Sequence, residues 1–226
     1  IVRSMRCLLL AVVLLISLAL SSAVTTHYVA IDNPNPVPPY TNWASAATNI
    51  QDAVNAAKYS DTILVSNGVY RTGLVRHGVV IRYRVEIIGM TLRSVNGPAV
   101  TIIEGFPDRV TTNGAGCVYM DQAGTVLAGF TLTNGAASEY GGGVRMNSPG
   151  MVSNCIIVGN FGIYGGGVSG NGGTVRDSII SSNMASRGGG GAYGYGPSYL
   201  KLENCLLLGN SADRYGGGAY SGCSLS

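Results

Sequence analysis

The chain has 226 residues, of which 46% are hydrophobic and only 11% charged, a composition that fits neither a disordered chain nor a conventional globular domain. Of its 34 glycines, 28 lie from Gly114 onward in clusters without the every-third-residue spacing of collagen, which excludes a triple helix. The net charge of +3 is small, and five basic residues after Thr112 are matched by five acidic ones, which excludes a basic surface for nucleic acid or an anionic membrane.

The segment that ends at Ala23 has the pattern of a secretory signal peptide. Two arginines precede an apolar stretch at residues 8–20, which is shorter than the ~20 apolar residues of a membrane-spanning helix. Small residues at the end of this segment predict cleavage after Ala23, and residues 1–4 lie upstream of Met5, the expected initiator. We therefore expect the mature chain to be secreted or exposed at the cell surface or outer membrane, without a membrane span.

Residues 24–60 are predicted to form an N-terminal cap. Residues 27–31 alternate like a short strand, and four prolines in the next nine residues predict a loop. Apolar residues at helical spacing predict an amphipathic helix at about 48–59, and Thr48 with Gln51 has the pattern of a capping box. We expect this helix to cover the open apolar end of a first coil, whereas the alternative is a helix packed beside the coil.

Short runs rich in β-branched residues follow the predicted helix, with turn signals between them. Their short length and imperfect alternation favour buried parallel strands connected by turns. Ile63 and Ile87 have the same separation as Ile102 and Val126, so we expect a solenoid that begins near Asp61. The predicted strands are residues 62–65, 79–88, 100–103 and 117–120.

From Val126 onward one pattern occurs four times: a short apolar run that ends in asparagine, followed by three consecutive glycines. The glycine triplets begin at Gly141, Gly165, Gly189 and Gly216, so the first two separations are equal and the third is slightly longer. Such a period is the signature of a solenoid, in which each coil buries its apolar side against the next. The apolar runs are residues 127–134, 152–160, 175–183 and 202–210.

Aligned residues of successive coils stack at the interstrand spacing of ~4.8 Å in a parallel β-helix. Cys155 and Cys205 are two coils apart, about 9.6 Å, which is too far for a disulfide, so we expect free, buried thiols. Cys117 and Cys223 are far apart along the axis and are also expected to be unpaired. The ladder that contains the first pair is Phe130, Cys155, Ser178 and Cys205.

The asparagines that end the four apolar runs are predicted to form a second ladder at turn corners. Asparagine tolerates left-handed backbone and can pass side-chain amide hydrogen bonds to the next coil. A ligand-binding role is the alternative, but turn chemistry already accounts for these residues. The glycine triplets are expected at corners where neighbouring backbones approach closely. The predicted asparagine ladder is Asn134, Asn160, Asn183 and Asn210.

These features resemble a known group of proteins. Residues 42–70 (NWASAATNIQDAVNAAKYSDTILVSNGVY) look like the opening of secreted β-helix proteins of the pectin-lyase-like fold, and the FTLTN…GGGV and NCIIVGN…GGGV units are similar to polymorphic outer membrane protein repeats. The resemblance implies an all-β, single-stranded right-handed parallel β-helix with an N-terminal capping α-helix. It leaves the activity open, because this fold carries polysaccharide lyases, glycoside hydrolases, adhesins and surface proteins.

No catalytic residue, metal site or cofactor is predicted. Lyases of this fold, as the resemblance implies, use clustered acidic residues for calcium and an arginine or lysine as base, but charged residues are sparse here. Arg176 and Asp177, with Lys201 and Glu203 on the next coil, come nearest to such a cluster. An exposed ion pair between Arg176 and Glu203 explains them more simply. The two histidines precede the repeats, so no catalytic triad can form among the repeat residues.

Tyrosines near the glycine triplets are the candidate binding residues. A row of exposed aromatic rings on an elongated surface is suited to bind sugar rings. Packing of these tyrosines at the corners of the coils is the alternative. The candidate site consists of Tyr140, Tyr164, Tyr193, Tyr215 and Tyr220.

The sequence thus predicts a secreted or cell-surface β-helix with a structural or adhesive role, whose partner is a polysaccharide or cell-surface glycan rather than nucleic acid. The predicted division is a signal peptide at 1–23, a cap at 24–60 and a β-helix at 61–226. The alternative is a polysaccharide lyase or glycoside hydrolase of the same fold with its active site outside this sequence. Leu225 begins a fifth apolar run, so we expect the C-terminal coils to be truncated.

Overall fold

The computed structural model describes residues 23–77, 81–108 and 114–226, and the chain winds into a parallel β-helix. Short strands of successive coils pair side by side, so that each sheet runs along the axis. Inward-facing side chains of the sheets form one continuous hydrophobic core. The predicted all-β parallel β-helix with an N-terminal helix is confirmed.

The eight-stranded sheet is parallel throughout and carries one buried row of branched aliphatic side chains. Ile63, Leu92 and Leu127 are register partners in successive strands, and each is fully buried. Removing each such side chain from water contributes ~1.5–3 kcal/mol, which drives the stacking. The strands are Thr26–Val29, Thr62–Val65, Thr91–Ser94, Val126–Ala128, Met151–Ser153, Thr174–Arg176, Leu200–Glu203 and Cys223–Leu225.

The six-stranded sheet follows the eight-stranded sheet after a tight corner in the glycine units. The corner residue has left-handed backbone, with φ of +82° at Gly129, +49° at Asn154 and +50° at Asp177. Glycine, asparagine and aspartate are the residues that adopt this conformation most readily. The strands are Gly68–Tyr70, Thr101–Glu104, Thr131–Thr133, Ile156–Val158, Ile179–Ser181 and Leu206–Leu208.

The seven-stranded sheet completes each coil, and the glycine triplets lead into its later strands. A Cβ atom on Gly142 would lie 2.1 Å from the carbonyl oxygen of Phe161 in the next coil, so no larger residue fits there. The pairing is parallel except for an antiparallel first pair. The strands are Val75–His77, Ile81–Ile88, Gly116–Asp121, Val144–Met146, Val168–Gly170, Ala192–Gly194 and Ala219–Ser221.

A small parallel sheet lies between the six-stranded and seven-stranded sheets along the chain. Its strands are Phe161–Tyr164, Met184–Gly188 and Ser211–Ala212. The helical elements are a 3-10 turn at Trp43–Ser45 and an α-helix at Ile50–Ala56.

The α-helix is shorter than predicted at both ends. Its N-cap is Asn49, whose side chain accepts a hydrogen bond of 2.8 Å from the backbone N–H of Gln51. The predicted capping box on Thr48 is therefore wrong, because a second good capping residue follows Thr48 directly. Ile50 and two further apolar residues of the helix join the main core, and the helix packs against the first two strands of the eight-stranded sheet.

The glycine units stack in the predicted register. Val144, Val168, Ala192 and Ala219 are partners in successive strands, which confirms the spacing of the four glycine triplets as the repeat of the coil. The predicted ladder of Phe130, Cys155, Ser178 and Cys205 is also present. The backbone N–H of Ile156 donates to the carbonyl oxygen of Phe130, and Ile179 and Leu206 donate in the same way to Cys155 and Ser178.

The earlier coils differ from the prediction in their start and period. The eight-stranded sheet begins at Thr26–Val29, upstream of Asp61. Ile63 stacks on Leu92 rather than Ile87, which belongs to the seven-stranded sheet. Ile102 likewise stacks on Thr131 rather than Val126. Loops of unequal length separate the early strands, so the constant offset of the later units does not give their register.

A buried hydrogen-bonded pair connects the first strand to the start of the second. His27 Nε2 lies 3.2 Å from Asp61 Oδ2, and His27 Nδ1 lies 2.6 Å from the carbonyl oxygen of Pro39. Burial raises the pKa of Asp61, but hydrogen bonds from the backbone of Thr25 and Lys58 and from His27 outweigh this effect and lower it below its usual value.

The asparagine ladder has three members rather than four. Asn160 Nδ2 donates to Asn183 Oδ1 at 3.0 Å, and Asn183 Nδ2 donates to Asn210 Oδ1 at 3.0 Å. The position of Asn160 is taken by Gly135 in the first unit, whose N–H donates to Asn160 Oδ1. Asn134 stands one residue earlier, at a left-handed corner with φ of +55°, and donates to a carboxylate. Its predicted membership of the ladder is wrong, because the first run is one residue shorter than the second.

The four described cysteines are free thiols. Cys117 and Cys155 are buried, and burial raises the pKa of the first to about 12 and of the second to about 11. Cys205 and Cys223 are partly exposed, which departs from the predicted burial of Cys205 because Cys205 lies on an outer coil.

The predicted signal peptide lies outside the described residues, apart from Ala23. Among the residues that the structure does describe, no helix has the length and apolar character needed to cross a bilayer.

Candidate functional site

The predicted tyrosines form a continuous ladder on the seven-stranded sheet and on the corners before three of the four glycine triplets. Tyr193 and Tyr220 are register partners on two adjacent strands, and Tyr140 pairs with Tyr164 at the corner. The residues beside Tyr193 point inward, so its ring projects from the outer face. We call the following residues the tyrosine ladder: Tyr140, Tyr164, Tyr193, Tyr195, Tyr215 and Tyr220.

Tyr193 is at the centre of this ladder. Its ring centroid is 4.7 Å from that of Tyr164, 6.0 Å from Tyr140 and 6.1 Å from Tyr220. The planes of these pairs differ by only 18–29°, so the rings are stacked. The pair Tyr215 and Tyr220 extends the ladder, with a separation of 4.9 Å and an interplanar angle of 8°. Offset stacking of this kind adds ~0.5–1.5 kcal/mol per pair to the burial of the rings.

Gly188 explains how the ladder continues through the third unit. It occupies the position before the glycine triplet where the other units have tyrosine. A Cβ atom at Gly188 would lie 2.8 Å from the ring of Tyr220, so the missing side chain leaves the space that this ring fills.

The ladder presents ring edges and phenol groups to a ligand. Stacking covers part of the ring faces, and Tyr140, Tyr164 and Tyr193 are only partly exposed. The most exposed rings are Tyr215 at 50% and Tyr220 at 37%. Burial raises the pKa of Tyr193, with a further increase from the neighbouring phenols. Its hydroxyl therefore stays protonated at neutral pH and can donate as well as accept hydrogen bonds.

Arg145 packs beneath one end of the ladder. Its guanidinium lies 5.0 Å from the ring centroid of Tyr140 and 5.7 Å from that of Tyr119, within the range of cation–π attraction. Its side chain is only 12% exposed, and Nη1 is 3.7 Å from a carboxylate oxygen of Glu139. Among the described residues, its Nε and Nη1 atoms have no hydrogen-bond partner, so the aromatic rings provide much of the environment of this cation.

Arg187 lies at the solvent side of the ladder. Its Nη1 donates a hydrogen bond of 3.1 Å to the hydroxyl of Tyr164, and its guanidinium is 5.7 Å from the centroid of that ring. A cavity of about 220 Å³ opens here. Its lining residues are Glu139, Tyr140, Ile163, Tyr164 and Arg187.

The sequence interpretation missed Tyr195 and both arginines. Tyr195 stacks on Tyr140 at 4.9 Å, and its hydroxyl donates to the carbonyl oxygen of Met146. A signal was present, since Tyr195 follows Tyr193 by two residues, the spacing that places side chains on one face of a strand. Nothing in the sequence predicted the position of Arg145, because its aromatic neighbours Tyr119 and Tyr140 come from different coils.

The charged residues near Arg176 have the register that the alignment predicted, but the ion pair of Arg176 is not with the predicted partner, Glu203. Arg176 and Glu203 are register partners. The ion pair of Arg176 is with the adjacent Asp177, whose Oδ2 lies 3.8 Å from Nε. Asp177 also accepts a hydrogen bond from Asn204. Within the described parts of the chain, no group of three or more metal-ligating side chains comes together.

Comparison with known proteins supports the architecture. No family model and no curated protein sequence matches the chain. A solved structure, the pectin methylesterase PemA from Erwinia chrysanthemi, superposes with a TM-score of 0.53 at 13% sequence identity. The superposition covers 81% of this chain and 56% of the other, so the chain spans about half the length of that enzyme. The similarity to polymorphic outer membrane protein repeats stays a prediction. The chain has the right-handed parallel β-helix fold of the pectin-lyase-like proteins.

Proposed function

We propose that this protein is a secreted or cell-surface β-helix that binds polysaccharide through the tyrosine ladder. The observation that carries the proposal is the run of six stacked tyrosines along the axis, with hydroxyl groups repeated from coil to coil. A polymer laid along the axis meets similar groups at each coil. The exposed rings of Tyr215 and Tyr220 suit the apolar faces of sugars, and the phenol groups of the ladder suit their hydroxyls.

The structural neighbour supports a polysaccharide as the ligand class. That protein is a pectin methylesterase, and it shares only the fold with this chain. The role proposed here is structural or adhesive, because the ladder contains aromatic and hydrogen-bonding groups rather than paired carboxylates.

Titration calorimetry with soluble pectin, polygalacturonate and neutral glucans tests the proposal. Tyr193→Ala removes the central ring, and we expect the dissociation constant to rise roughly tenfold for the polysaccharide that binds. Tyr220→Ala should give a smaller loss in the same direction. Tyr199→Ala is the matched control, because Tyr199 is 65% exposed and lies outside the ladder. Absence of binding to every glycan, or equal binding by the Tyr193 and Tyr199 variants, would contradict the proposal.

A second candidate is a polysaccharide-degrading enzyme, either a lyase or a glycoside hydrolase, whose active site includes residues outside this sequence. The structural neighbour is an enzyme that acts on pectin, which favours an enzyme of polysaccharides, although a methylesterase itself cleaves no glycosidic bond. Incubation with pectin and polygalacturonate, with and without calcium, distinguishes it from binding alone. Unsaturated products would indicate a lyase, and new reducing ends without unsaturation would indicate a hydrolase.

A further inference from the structure

A second groove lies on the eight-stranded sheet and the corner beside it, on a different face from the tyrosine ladder. One cavity of about 430 Å³ is lined by Trp43, Asn67, Asn96 and Val95, with one serine. A neighbouring cavity of about 380 Å³ is lined in part by Val95, and it continues along the sheet. Val95 borders both cavities, so the two adjoin, and together they are treated as one shallow depression. We call this depression the arginine groove, after Arg93 and Arg176, which line its second cavity.

The two arginines stand in one outward row of the sheet. Register pairing runs from Arg93 through Ala128 and Ser153 to Arg176, so three strand spacings of ~4.8 Å, about 14 Å in all, separate their backbones. The two residues between them are small, which leaves a depression between two long cationic side chains. Val126 belongs to the adjacent outward row and lines the same cavity.

The groove is positively charged by composition. Arg93 and Arg176 are the charged residues that line the two cavities, and among the described residues no acidic side chain lines either of them. Arg93 is exposed, and within the described ranges it has no ion-pair partner. Arg176 keeps half of its side chain exposed beside Asp177. Guanidinium groups bind carboxylates by paired, charge-assisted hydrogen bonds.

The end of the groove near Trp43 has the groups that recognise a sugar ring. Trp43 is 45% exposed, and the edge contact with Tyr28 at 4.6 Å holds its ring. Asn96 Nδ2 donates to Asn67 Oδ1 at 2.8 Å. This pairing leaves the Nδ2 donor of Asn67 and the Oδ1 acceptor of Asn96 for a ligand hydroxyl. An aromatic ring beside a few oriented polar groups is the usual composition of a small-ligand site.

We propose that the arginine groove binds an acidic oligosaccharide chain. One sugar ring packs against Trp43 and hydrogen bonds to the asparagine pair, and carboxylate groups further along the chain bind Arg93 and Arg176. The extent of the groove favours a chain over a single sugar. The guanidinium of Arg93, which is unpaired within the described residues, together with the half-exposed guanidinium of Arg176 beside Asp177, favours a carboxylated chain over a neutral one. This site does not depend on the tyrosine ladder, because the two surfaces lie on different sheets.

The probe is an oligogalacturonate, titrated at low and high salt, with a neutral malto-oligosaccharide and a single-stranded oligonucleotide as comparison ligands. We expect the double variant Arg93→Ala, Arg176→Ala to weaken oligogalacturonate binding at least tenfold at low salt. The difference should shrink at high salt because ions screen exposed charges. The control is Arg71→Ala, Arg76→Ala, which removes the same charge from exposed residues outside the groove and should stay within about twofold of the unaltered protein.

A second pair of variants tests the aromatic end. Trp43→Ala should weaken oligogalacturonate binding severalfold, and Trp43→Tyr should restore most of the loss because it keeps an aromatic ring. Thermal unfolding of each variant, compared with that of the unaltered protein, separates loss of binding from loss of folding.

Several results would overturn the proposal. One is equal weakening by the groove and control double variants, which would mean that net charge alone attracts the ligand. Another is equal binding of the oligonucleotide, which would identify an unspecific polyanion surface. Loss of binding in Tyr193→Ala, Tyr220→Ala but not in the groove variant would assign the ligand to the tyrosine ladder. Loss of binding in the groove variant but not in the tyrosine double variant would support the proposal for the groove, even if the tyrosine ladder binds nothing.

Discussion

The coils before Val126 and the glycine units after it build the same β-helix by different means. The early coils are irregular in length and depend on contacts that occur once, namely the helix at Ile50–Ala56 and the buried pair of His27 and Asp61. The later units repeat at a nearly constant spacing, and they depend on glycine corners and a chain of asparagine amides. The comparison shows that a regular period requires the same close contact in every coil, whereas irregular coils are stabilised by contacts that each occur only once.

The largest effect is expected from a glycine corner in the regular half. A Cβ atom on Gly143 would lie 2.6 Å from the carbonyl oxygen of Gly167 and 2.7 Å from a methyl carbon of Ile157. Because a backbone atom must move, we expect Gly143→Ala to lower the free energy of unfolding by about 3 kcal/mol or more. Urea denaturation followed by circular dichroism measures this loss.

Gly218→Ala is the matched control for Gly143→Ala. Gly218 holds the same position of the repeat, but the nearest atom to its Cβ would be a methyl carbon of Leu207 at 3.8 Å. We expect its free energy of unfolding to stay within about 1 kcal/mol of the unaltered value. Equal losses in both variants would mean that glycine is needed there for backbone freedom rather than for close approach.

The next effect is expected in the asparagine ladder. Asn183 is fully buried, donates to the carbonyl of Ile157 and to Asn210, and accepts from the backbone and the side chain of Asn160. Asn183→Ala leaves these groups without partners, so we expect the free energy of unfolding to fall by about 2–3 kcal/mol. Asn134→Ala should cost about 1 kcal/mol, because Asn134 makes a partly exposed corner contact. Equal costs would contradict the division of the four asparagines into two classes.

A smaller, pH-dependent effect is expected in the irregular half. The folded state lowers the pKa of Asp61, so its carboxylate stabilises the fold fully above the unfolded value of about 3.9, and this contribution is lost as the pH falls through the folded pKa. We expect Asp61→Asn to lower the free energy of unfolding by about 2 kcal/mol at pH 7, because two backbone N–H groups and His27 lose a charged acceptor. Asp213→Asn, at an exposed residue, is the control.

Denaturation curves from pH 7 to pH 3 test the sign of this effect. The difference between Asp61→Asn and the unaltered protein should narrow below about pH 4, where the carboxyl of the unfolded chain becomes protonated before that of the folded protein. A difference that stays constant over this range would show that Asp61 acts through its shape rather than its charge.

The smallest effect concerns reaction rates rather than stability. Cys117 and Cys155 combine burial with raised pKa values of about 12 and about 11, whereas Cys205 and Cys223 are partly exposed. Iodoacetamide at pH 8 should therefore alkylate Cys205 and Cys223 first, because it reacts with the accessible thiolate. Mass spectrometry of the native and denatured protein measures the order. Fast modification of Cys155 in the native protein would contradict its place in the core.

Much of the regular half could be predicted because its contacts recur at a constant spacing. The glycine triplets and apolar runs placed Val144 on Val168 correctly, since equal loops carry equal residues into register. The same reasoning failed for Asn134, where one residue of difference in the first run moved the side chain from the interior to the corner. A period is therefore reliable only where every loop has the same length.

Local patterns in the amino-acid sequence were sufficient for the β-helix, the repeat register after Val126 and the presence of aromatic residues at the glycine corners, because each of these depends on residues a short and constant distance apart. The early register, the cation beneath the tyrosines and the arginine groove depend on residues from several coils. Arg93 and Arg176, for example, are far apart in the sequence yet share one row of the sheet. The lengths of the loops between strands determine which residues share such a row, and only the folded chain brings their side chains to one surface.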